Sequence, residues 1–311
     1  MTTRTDAFVQ ASEVWIPDGD LMRHHSGAYG PHTEFARVSA RKTFRKGEGL
    51  PGHVWASQRP LVWEELGELF VRRELAKAAG IDAAVGIPVF QGDELSAVVV
   101  LLCGRRDVTE GCVEVWDVDA RRGALTHAGG YYGGVREFER ISRLLEFERG
   151  SGAPGRAWLT GDPQILEDLT DSAAFTRAPL ARGAGLEAGL AIPIFRAGRV
   201  AHVVMLLSGA STPLARAFEI WSTREQGLEL DGAVYEGGLE TFARIRRSAR
   251  FAPGEGLPGS VLGAGLPAIF DRARPPAFAR DHAFELAGLE AGIAIPVRDA
   301  ERIRAVVVLL S

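Results

Sequence analysis

Cysteine and lysine are scarce in this chain of 311 residues. The only cysteines are Cys103 and Cys112, and neither belongs to a C-x-x-C motif or a Cys/His cluster. Two isolated thiols exclude a disulfide framework and give no sign of a zinc or dithiol redox site. Lysine occurs only at Lys42, Lys46 and Lys77, so arginine supplies most of the positive charge. The net charge is −4. Because nucleic-acid-binding domains are usually basic, we expect no nucleic-acid partner.

Long apolar runs and targeting signals are also missing. No stretch approaches the ~20 apolar residues that are needed to cross a bilayer. The first residues, MTTRTDAFVQASEVW, contain no apolar segment of the kind that a secretory signal has. We therefore expect no membrane partner and a cytoplasmic location.

Recognisable catalytic and metal-binding patterns are absent from the sequence. The seven histidines do not combine with carboxylates or cysteines at metal-ligand spacing. No nucleophile elbow and no Ser/His/Asp arrangement indicates a hydrolase. We expect a protein that is not an enzyme, and the sequence identifies no cofactor. An enzyme with an unfamiliar site remains the weakest alternative.

What the sequence does contain is an internal repeat. The strings KGEGLPGHVW, RGSGAPGRAW and PGEGLPGSVL follow Phe44, Phe147 and Phe251 closely. Each is preceded by an EVW or EIW string, and each copy ends on a run such as AVVVLLC. A unit of ~100 residues is a normal size for a domain with its own core. We place the boundaries after Cys103 and Ser208. The predicted domains are 1–103, 104–208 and 209–311.

Each unit shows the same sequence of secondary-structure signals. In the first unit, SEVWIPDGD predicts a strand and a turn, and LMRHHSGAYG predicts the returning strand. TEFARVS, LPGHVWASQ and FVRRELAKAAG predict short helices. AAVGIPVF and LSAVVVLLC predict two further strands around the turn QGDE. This order predicts an α+β domain, one antiparallel sheet with short helices packed on it.

The glycine-rich string could in principle bind an anion at the start of a helix. A P-loop, however, requires G-x-x-x-x-G-K-[ST], and no cation recurs after the Pro-Gly pair. We favour the interpretation that the glycines form the turn that starts a helix.

A Phe-x-Arg motif places arginines at equivalent positions in the three units, namely Arg72, Arg177 and Arg280. An acidic residue precedes each of them at a similar distance: Glu65, Asp168 and Asp271. A buried Arg–carboxylate pair that holds a loop against a helix explains this recurrence, and we favour it. The alternative is that the arginines bind an anionic ligand at the mouth of a pocket.

Positions that differ between the copies are the other candidates for ligand contact. The residues after the Pro-Gly pair are His53, Arg156 and Ser260. Trp63 stands where the other units have leucine and phenylalanine. Ligand pockets are mostly apolar with a few polar groups, which fits such a set. The tryptophans that recur in every copy are expected in the core: Trp15, Trp116 and Trp221.

The combined pattern F…GEGLPGHVWASQRPLVWEEL…F-x-R…GIPV…AVVVLL over 44–103, with its two echoes, resembles the GAF domain family. The resemblance covers all three units. It implies a twisted antiparallel sheet, a ligand cavity between the sheet and the helices, and a regulatory role. The Cys-His dipeptide of the bilin-binding members, the cysteines of the methionine-sulfoxide-reducing members and the Asn-Lys-Phe-Asp-Glu signature of the cyclic-nucleotide-binding members do not occur. Units follow one another within eight residues, so we expect no helical linkers and no output domain in the chain.

Two functions follow from the resemblance. The first is a non-catalytic sensory or regulatory protein, whose three GAF-like modules bind a small-molecule ligand or a signalling protein partner. The second is a degenerate structural array of GAF-like domains that acts only as an assembly or interaction scaffold. Filled cavities in all units, together with no response to ligands, would favour the second.

Overall fold

Three curled antiparallel sheets, each of six strands, form the framework of the protein. The computed structural model describes residues 7–170, 175–275 and 282–311, without the side chain of His282. All three sheets have the same strand order, in which the first strand of each set of six lies beside the sixth. The predicted fold class, tandem α+β units with short helices on antiparallel sheets, is confirmed. The domain boundaries after Cys103 and Ser208 stay predictions.

The first sheet is formed by long β-rich segments that the sequence predicts, and by two short strands. Its strands are β1 (Val9–Asp18), β2 (Leu21–Ala28), β3 (Thr43–Arg45), β4 (Leu61–Trp63), β5 (Ile81–Gln91) and β6 (Glu94–Gly104). The helices between them are α1 (Thr33–Ser39), α2 (Gly49–Ser57) and α3 (Arg73–Ala78). The sequence did not predict β4, which pairs with β5 at the edge of the sheet.

The second and third sheets repeat this pattern. The second contains β7 (Gly111–Asp119), β8 (Ala124–Tyr131), α4 (Arg136–Ser142), β9 (Glu146–Glu148), α5 (Gly152–Thr160), β10 (Gln164–Leu166), α6 (Ala178–Gly183), β11 (Leu186–Arg196) and β12 (Arg199–Gly209). The third contains β13 (Ala217–Arg224), β14 (Gly227–Tyr235), α7 (Glu240–Ser248), β15 (Arg250–Phe251), α8 (Gly256–Ala264), β16 (Ala268–Asp271), α9 (His282–Leu286), β17 (Ala291–Arg298) and β18 (Ile303–Leu310).

The glycine-rich string forms the turn before α2, as predicted. Gly47 and Gly49 have φ of +84° and +57°, a conformation that L side chains rarely adopt. A Cβ on Gly52 would lie 2.1 Å from the carbonyl oxygen of Arg45, so a side chain is excluded there. A Cβ on Gly155 or Gly259 would likewise lie 2.2 Å from the equivalent carbonyl oxygen. The repeated glycines therefore satisfy the geometry of the backbone.

The three sheets pack against one another around a common axis. Strands β5, β11 and β17 contact each other in all three combinations. Further contacts run in a cycle from β4 to β8, from β10 to β14 and from β16 to β2. Alternate residues of these strands, all apolar, form one core shared by the three units, for example Ile87, Ile192 and Ile295. The opposite face of each sheet carries the helices.

Both faces of the central strands are therefore buried, and their sequence reads as a continuous apolar run. Val98, Val99 and Val100 of β6 are all fully buried although consecutive strand residues point to opposite faces. None of the helices in the described ranges has the length and the apolar character that a bilayer crossing requires.

Candidate functional site

The helix-covered face of each sheet buries a glutamate beside a tryptophan. Glu13 and Trp15 are two residues apart on β1, so both side chains lie on one face of the strand. Both are completely buried. The same arrangement places Glu114 beside Trp116 on β7, and Glu219 beside Trp221 on β13. A buried carboxylate is costly unless it is paired and hydrogen-bonded, so the partners of these glutamates define the site.

In the first unit, Arg72 neutralises Glu13. The guanidinium spans both carboxylate oxygens, with Nη2 at 2.9 Å from Oε2 and Nη1 on Oε1. Trp15 Nε1 donates to Oε2 at 2.9 Å, and the Tyr29 hydroxyl donates to Oε1 at 2.9 Å. Arg72 also donates to the hydroxyl oxygen of Ser39. The pair is bidentate and its oxygens are saturated with donors, which is the geometry in which a buried ion pair is tolerated.

The second unit repeats this cluster with Arg177 and Glu114. Arg177 Nη1 donates to Glu114 Oε1 at 2.5 Å, and Nη2 donates to Oε2 at 3.0 Å. The hydroxyl of Ser142 accepts from Nη1 at 2.6 Å, and Trp116 Nε1 donates to Oε2 at 3.1 Å. The rings of Phe138 and Phe175 lie 4.5 and 5.1 Å from the guanidinium carbon, within cation–π distance.

In the third unit the arginine that binds the strand glutamate comes from a different element. Arg246 of α7 donates from Nε to Glu219 Oε1 at 2.8 Å and from Nη2 to Oε2 at 2.6 Å. Counted from the preceding helix phenylalanine, Arg246 occupies the position of Ser39 and Ser142. Trp221 and Tyr235 bind the carboxylate as their counterparts do in the first unit.

The charge state of the clusters follows from this geometry. Burial by itself would raise the pKa of Glu13, but the charge of Arg72 and its hydrogen bonds hold that pKa below its ordinary value. Burial likewise opposes ionisation of Glu114, and Arg177 again lowers the pKa of the carboxyl. Burial disfavours the charged form of Arg177, but Glu114 raises its pKa above the ordinary value. The Glu13 and Glu114 carboxyls are therefore ionised at neutral pH and are not poised to transfer a proton.

The expectation of a buried arginine–carboxylate pair is confirmed in the first two units, but the predicted carboxylates were wrong. Arg72 binds Glu13 on β1, while Glu65 is exposed. Arg177 binds Glu114 on β7, while Asp168 accepts hydrogen bonds from Thr170. The physical reason is the difference in burial between the carboxylates. The fully buried glutamate on the sheet requires a cation, so the arginine side chain extends from its loop to the sheet. Arg280 lies outside the described residues, and Asp271 accepts a hydrogen bond from the backbone of Ala273.

His53 and Trp63 lie together in the first unit. Their rings are 5.4 Å apart in an edge-to-face arrangement, and both are half-buried. His53 Nδ1 lies 2.7 Å from the carbonyl oxygen of Gly49, one helical turn earlier. Trp63 also packs edge-on against Phe70 at 6.4 Å. The contact links α2 to the edge strand β4.

Arg156 and Ser260 occupy the equivalent helix positions in the other units, and both are half-buried. The hydroxyl of Ser260 donates to the Leu257 carbonyl at 2.8 Å, within its own helix. These positions lie on α5 and α8, whereas the arginine clusters lie between the sheets and the other helices. The variable helix positions and the Phe-x-Arg arginines do not form one site, and their role in ligand binding stays a prediction.

A groove in the first unit lies beside Arg72. It has a volume of 460 Å³ and opens to solvent between α1 and α3. Its apolar lining includes Val38, Phe70 and Leu75, together with Val71, which is half exposed. The guanidinium of Arg72 is already bound to Glu13 and Ser39 beneath this groove.

The two thiols are structural. Cys103 and Cys112 are fully buried, on β6 and β7. Burial raises the pKa of the Cys103 thiol, and burial together with the nearby Glu114 raises that of Cys112. Thiols of this kind are poor nucleophiles because the reactive form is the thiolate. Among the described residues, no group of His, Cys, Asp and Glu has the arrangement of a metal site.

The strand glutamates are the residues that sequence reasoning missed. The sequence contains a signal for these glutamates, because a glutamate stands two positions before the tryptophan that recurs in each of the three copies, as EVW, EVW and EIW. A charged residue that recurs on the buried face of an otherwise apolar strand indicates a buried ion pair. The resulting clusters fix the loop or helix that carries each arginine on the sheet.

One known family matches part of the chain. Residues 106–220 match the sequence model of the GAF domain. No curated protein matches the chain.

Solved structures with similarity to the chain include GAF domains. One is the GAF domain of A. Aeolicus nlh2 in an inactive state, with 24% identity and a TM-score of 0.26 over 31% of this chain and 58% of that chain. A second is free methionine-R-sulfoxide reductase from Neisseria meningitidis in complex with its substrate, with 20% identity and a TM-score of 0.25 over 31% and 51%. A third is a GAF domain/HD domain protein from Geobacter sulfurreducens, with 17% identity and a TM-score of 0.28 over 33% and 65%. The chain spans less than two thirds of the length of each of these structures.

Proposed function

We propose that the chain, which contains three repeated sheets and matches the GAF domain model over residues 106–220, is a non-catalytic regulatory protein. Its modules act by binding a small molecule or a signalling protein partner. GAF domains generally bind small molecules or interact with proteins, which supports this role. The chemistry of the unit interiors also supports binding without catalysis.

One observation carries the non-catalytic part of the proposal. The space between the sheet and the helices is occupied by an arginine–glutamate pair whose hydrogen-bonding groups bind one another, as Arg72 and Glu13 do. A catalytic acid or base needs a pKa near the working pH and a position within reach of a substrate. The Glu13 and Glu114 carboxyls have lowered pKa values and are completely buried, so neither condition is met.

A cytoplasmic location is part of the same proposal. The two cysteines are free thiols rather than a disulfide. Unpaired cysteines are typical of a reducing compartment.

A screen of unfolding temperatures tests ligand binding. The full chain is heated with each member of a panel of nucleotides, amino acids, inorganic anions and aromatic metabolites. A compound that binds only the folded state stabilises it by RT ln(1 + L/Kd), where L is the free concentration of the compound, so the unfolding temperature rises with the logarithm of the concentration above Kd. The proposal predicts that at least one compound raises the unfolding temperature, and that the shift continues to increase with concentration as this relation requires. Turnover of any of these compounds by the purified protein would contradict the non-catalytic part.

A second candidate function is an assembly scaffold, and the filled interiors favour it. Trp15, Trp116 and Trp221 are fully buried within the clusters, where the resemblance implies a ligand cavity. The units also share a core, as a structural array would. This candidate predicts no thermal shift with any compound and a defined complex with a partner protein, which size-exclusion chromatography with light scattering would detect.

A further inference from the structure

The three junctions between neighbouring units are built from equivalent residues but are filled differently. In each unit one cross-strand pair near the start of the first strand faces the preceding unit in the cycle. The register gives these pairs as Ser12–Ala28, Val113–Tyr131 and Phe218–Val234. Paired residues on one face of a sheet are neighbours, so each pair fills one patch of a junction.

Tyr131 fills the junction between the first and second units. Its ring is completely buried and lies 5.7 Å from the ring of Phe8. Its hydroxyl donates to the Gly104 carbonyl at 2.6 Å, and the guanidinium carbon of Arg106 lies 5.1 Å from the ring. A phenol ring with one hydrogen bond and one cationic neighbour therefore completes this junction.

At the junction between the third and first units, the residue equivalent to Tyr131 is Ala28. Leu214 is the equivalent of Phe8 in the third unit, because each of them stands three residues before the alanine near the start of the first strand of its unit. Ala28 and Leu214 line one cavity of 390 Å³. Because Ala28 lacks the ring that Tyr131 supplies, the space that a phenol occupies at one junction is open at the other. A volume of this size is within the range of small-molecule pockets, roughly 300–1,000 Å³.

The cavity also contains a polar group that the equivalent positions lack. Ser12 lines it, where the other units have Val113 and Phe218. Ser12 is only 8% exposed and lines the cavity. A ligand in the cavity can therefore form a hydrogen bond with the Ser12 hydroxyl, which valine and phenylalanine cannot offer at the equivalent positions. Two independent replacements at paired positions thus open the junction and make it polar.

The charges around the cavity favour an uncharged ligand. Arg216 and Glu236 both line it, and Arg216 Nε donates to Glu236 at 2.7 Å, so this pair is neutral as a whole. Among the lining residues that the structure describes, Arg216 is the one cation, and its pairing with Glu236 leaves no free positive charge for a carboxylate or phosphate ligand. The guanidinium of Arg216 can lie against an aromatic ring.

We propose that the cavity between the first and third units is a binding site for a small, uncharged aromatic molecule with a hydroxyl group. Leu214 and Ala291 supply apolar contact, and Ser12 supplies the hydrogen bond. The ligand occupies the place that Tyr131 occupies at the other junction. This site lies outside the interiors of the units. The proposal for it is therefore tested independently of the proposed function of the repeats.

The probe that tests the site is p-cresol, which is the side chain of tyrosine cut at Cβ. Binding to the full chain is measured by calorimetry, and nuclear Overhauser effects from the ring protons to the methyl groups of Leu214 and Ala291 identify the location. Wild type is expected to bind one equivalent. Ala28→Tyr places a ring in the cavity and is expected to weaken binding by at least about tenfold. Ser12→Val, which copies the second unit, is expected to weaken p-cresol binding severalfold and to leave toluene binding unchanged.

The reverse variant gives an independent check. Tyr131→Ala opens the equivalent junction, and a second equivalent of p-cresol is expected to bind there. Should Ala28→Tyr fail to fold, Ala28→Leu fills part of the same space, and the same loss of binding is expected. The proposal is overturned if wild type binds no p-cresol up to the solubility limit. It is also overturned if the folded filling variant binds as well as wild type, or if the Overhauser contacts lie elsewhere.

Discussion

Arg246 binds Glu219 from a helix position at which the other two repeats have serine. In those repeats the arginine comes instead from the end of a loop before α3 or α6, and the serine accepts a hydrogen bond from it. The glutamate on the sheet is constant while the element that carries the arginine changes. The buried carboxylate therefore sets the requirement for a cation, and more than one backbone position can satisfy it.

The first prediction concerns the pair in the first unit. Arg72→Met should destabilise the protein by about 3–5 kcal/mol, because it leaves the buried carboxylate of Glu13 without a counter-charge. The free energy of unfolding is measured by urea denaturation. Arg105→Met removes an exposed arginine that pairs with Asp107 and should have a much smaller effect. Equal effects of the two variants would show that the buried pair is not a structural determinant.

Replacement of the whole pair should be better tolerated than removal of one partner. The double variant Glu13→Leu/Arg72→Met leaves no unpaired charge in the core. It should recover a large part of the stability that Arg72→Met loses. Urea denaturation of the single and double variants, compared in a double-mutant cycle, measures this coupling.

The pH dependence of stability follows from the lowered carboxyl pKa values. The ordinary value for Glu13 and Glu114 is 4.5, and the folded-state pKa of each is lower. A group whose pKa is lowered on folding contributes stability that is present above the unfolded-state pKa. That contribution is lost as the pH falls through the folded-state pKa. Unfolding free energies measured between pH 7 and pH 3 should therefore decrease below about pH 4.5. The double variant should show a shallower decrease, and an identical slope in both proteins would contradict the assignment.

The turn before α2 gives a prediction about backbone packing. Gly52→Ala should destabilise the protein by about 1–3 kcal/mol, since the new Cβ would lie 2.1 Å from the Arg45 carbonyl and the turn must shift. Gly67→Ala is the matched control, because a Cβ there has no atom within 4 Å. Thermal unfolding monitored by circular dichroism separates the two. A neutral Gly52→Ala variant would mean that the turn adapts without cost.

The thiols should be unreactive in the folded protein. Cys103 and Cys112 are buried and their pKa values are raised, so a thiol reagent such as Ellman's reagent should label neither under native conditions at pH 8. Both should react at once in urea. Rapid native labelling of either cysteine would contradict their burial.

The repeats, the antiparallel α+β fold class and the helix-starting glycines could be predicted from sequence because they depend on local pattern. Periodicity identifies β1, β5 and β6, and glycine identifies the turns. The edge strand β4 could not be identified, since its three residues follow a helix and carry no alternation of their own. Short edge strands are fixed by pairing with a neighbour, here β5.

The arginine partners show a different limit. Proximity along the chain favours Glu65 and Asp168 as the partners of the arginines, whereas the observed partners Glu13 and Glu114 are 59 and 63 residues away. Pairing over such distances is determined by the sheet, which brings the first strand beneath the loop. The sequence also does not predict that the three sheets pack around one axis. That packing depends on which face of each sheet remains apolar and uncovered after the helices have packed on the opposite face.

Native mass spectrometry of the purified full chain tests the central claim most directly. The claim that the repeats bind a small molecule without transforming it predicts a species heavier than the 33.5 kDa chain by one intact small molecule. That species is either retained from expression or formed with a compound that raises the unfolding temperature, and the compound should be released unchanged on collisional activation. Spectra that show only the bare chain with every compound of the panel, or a compound released in altered form, would contradict the account.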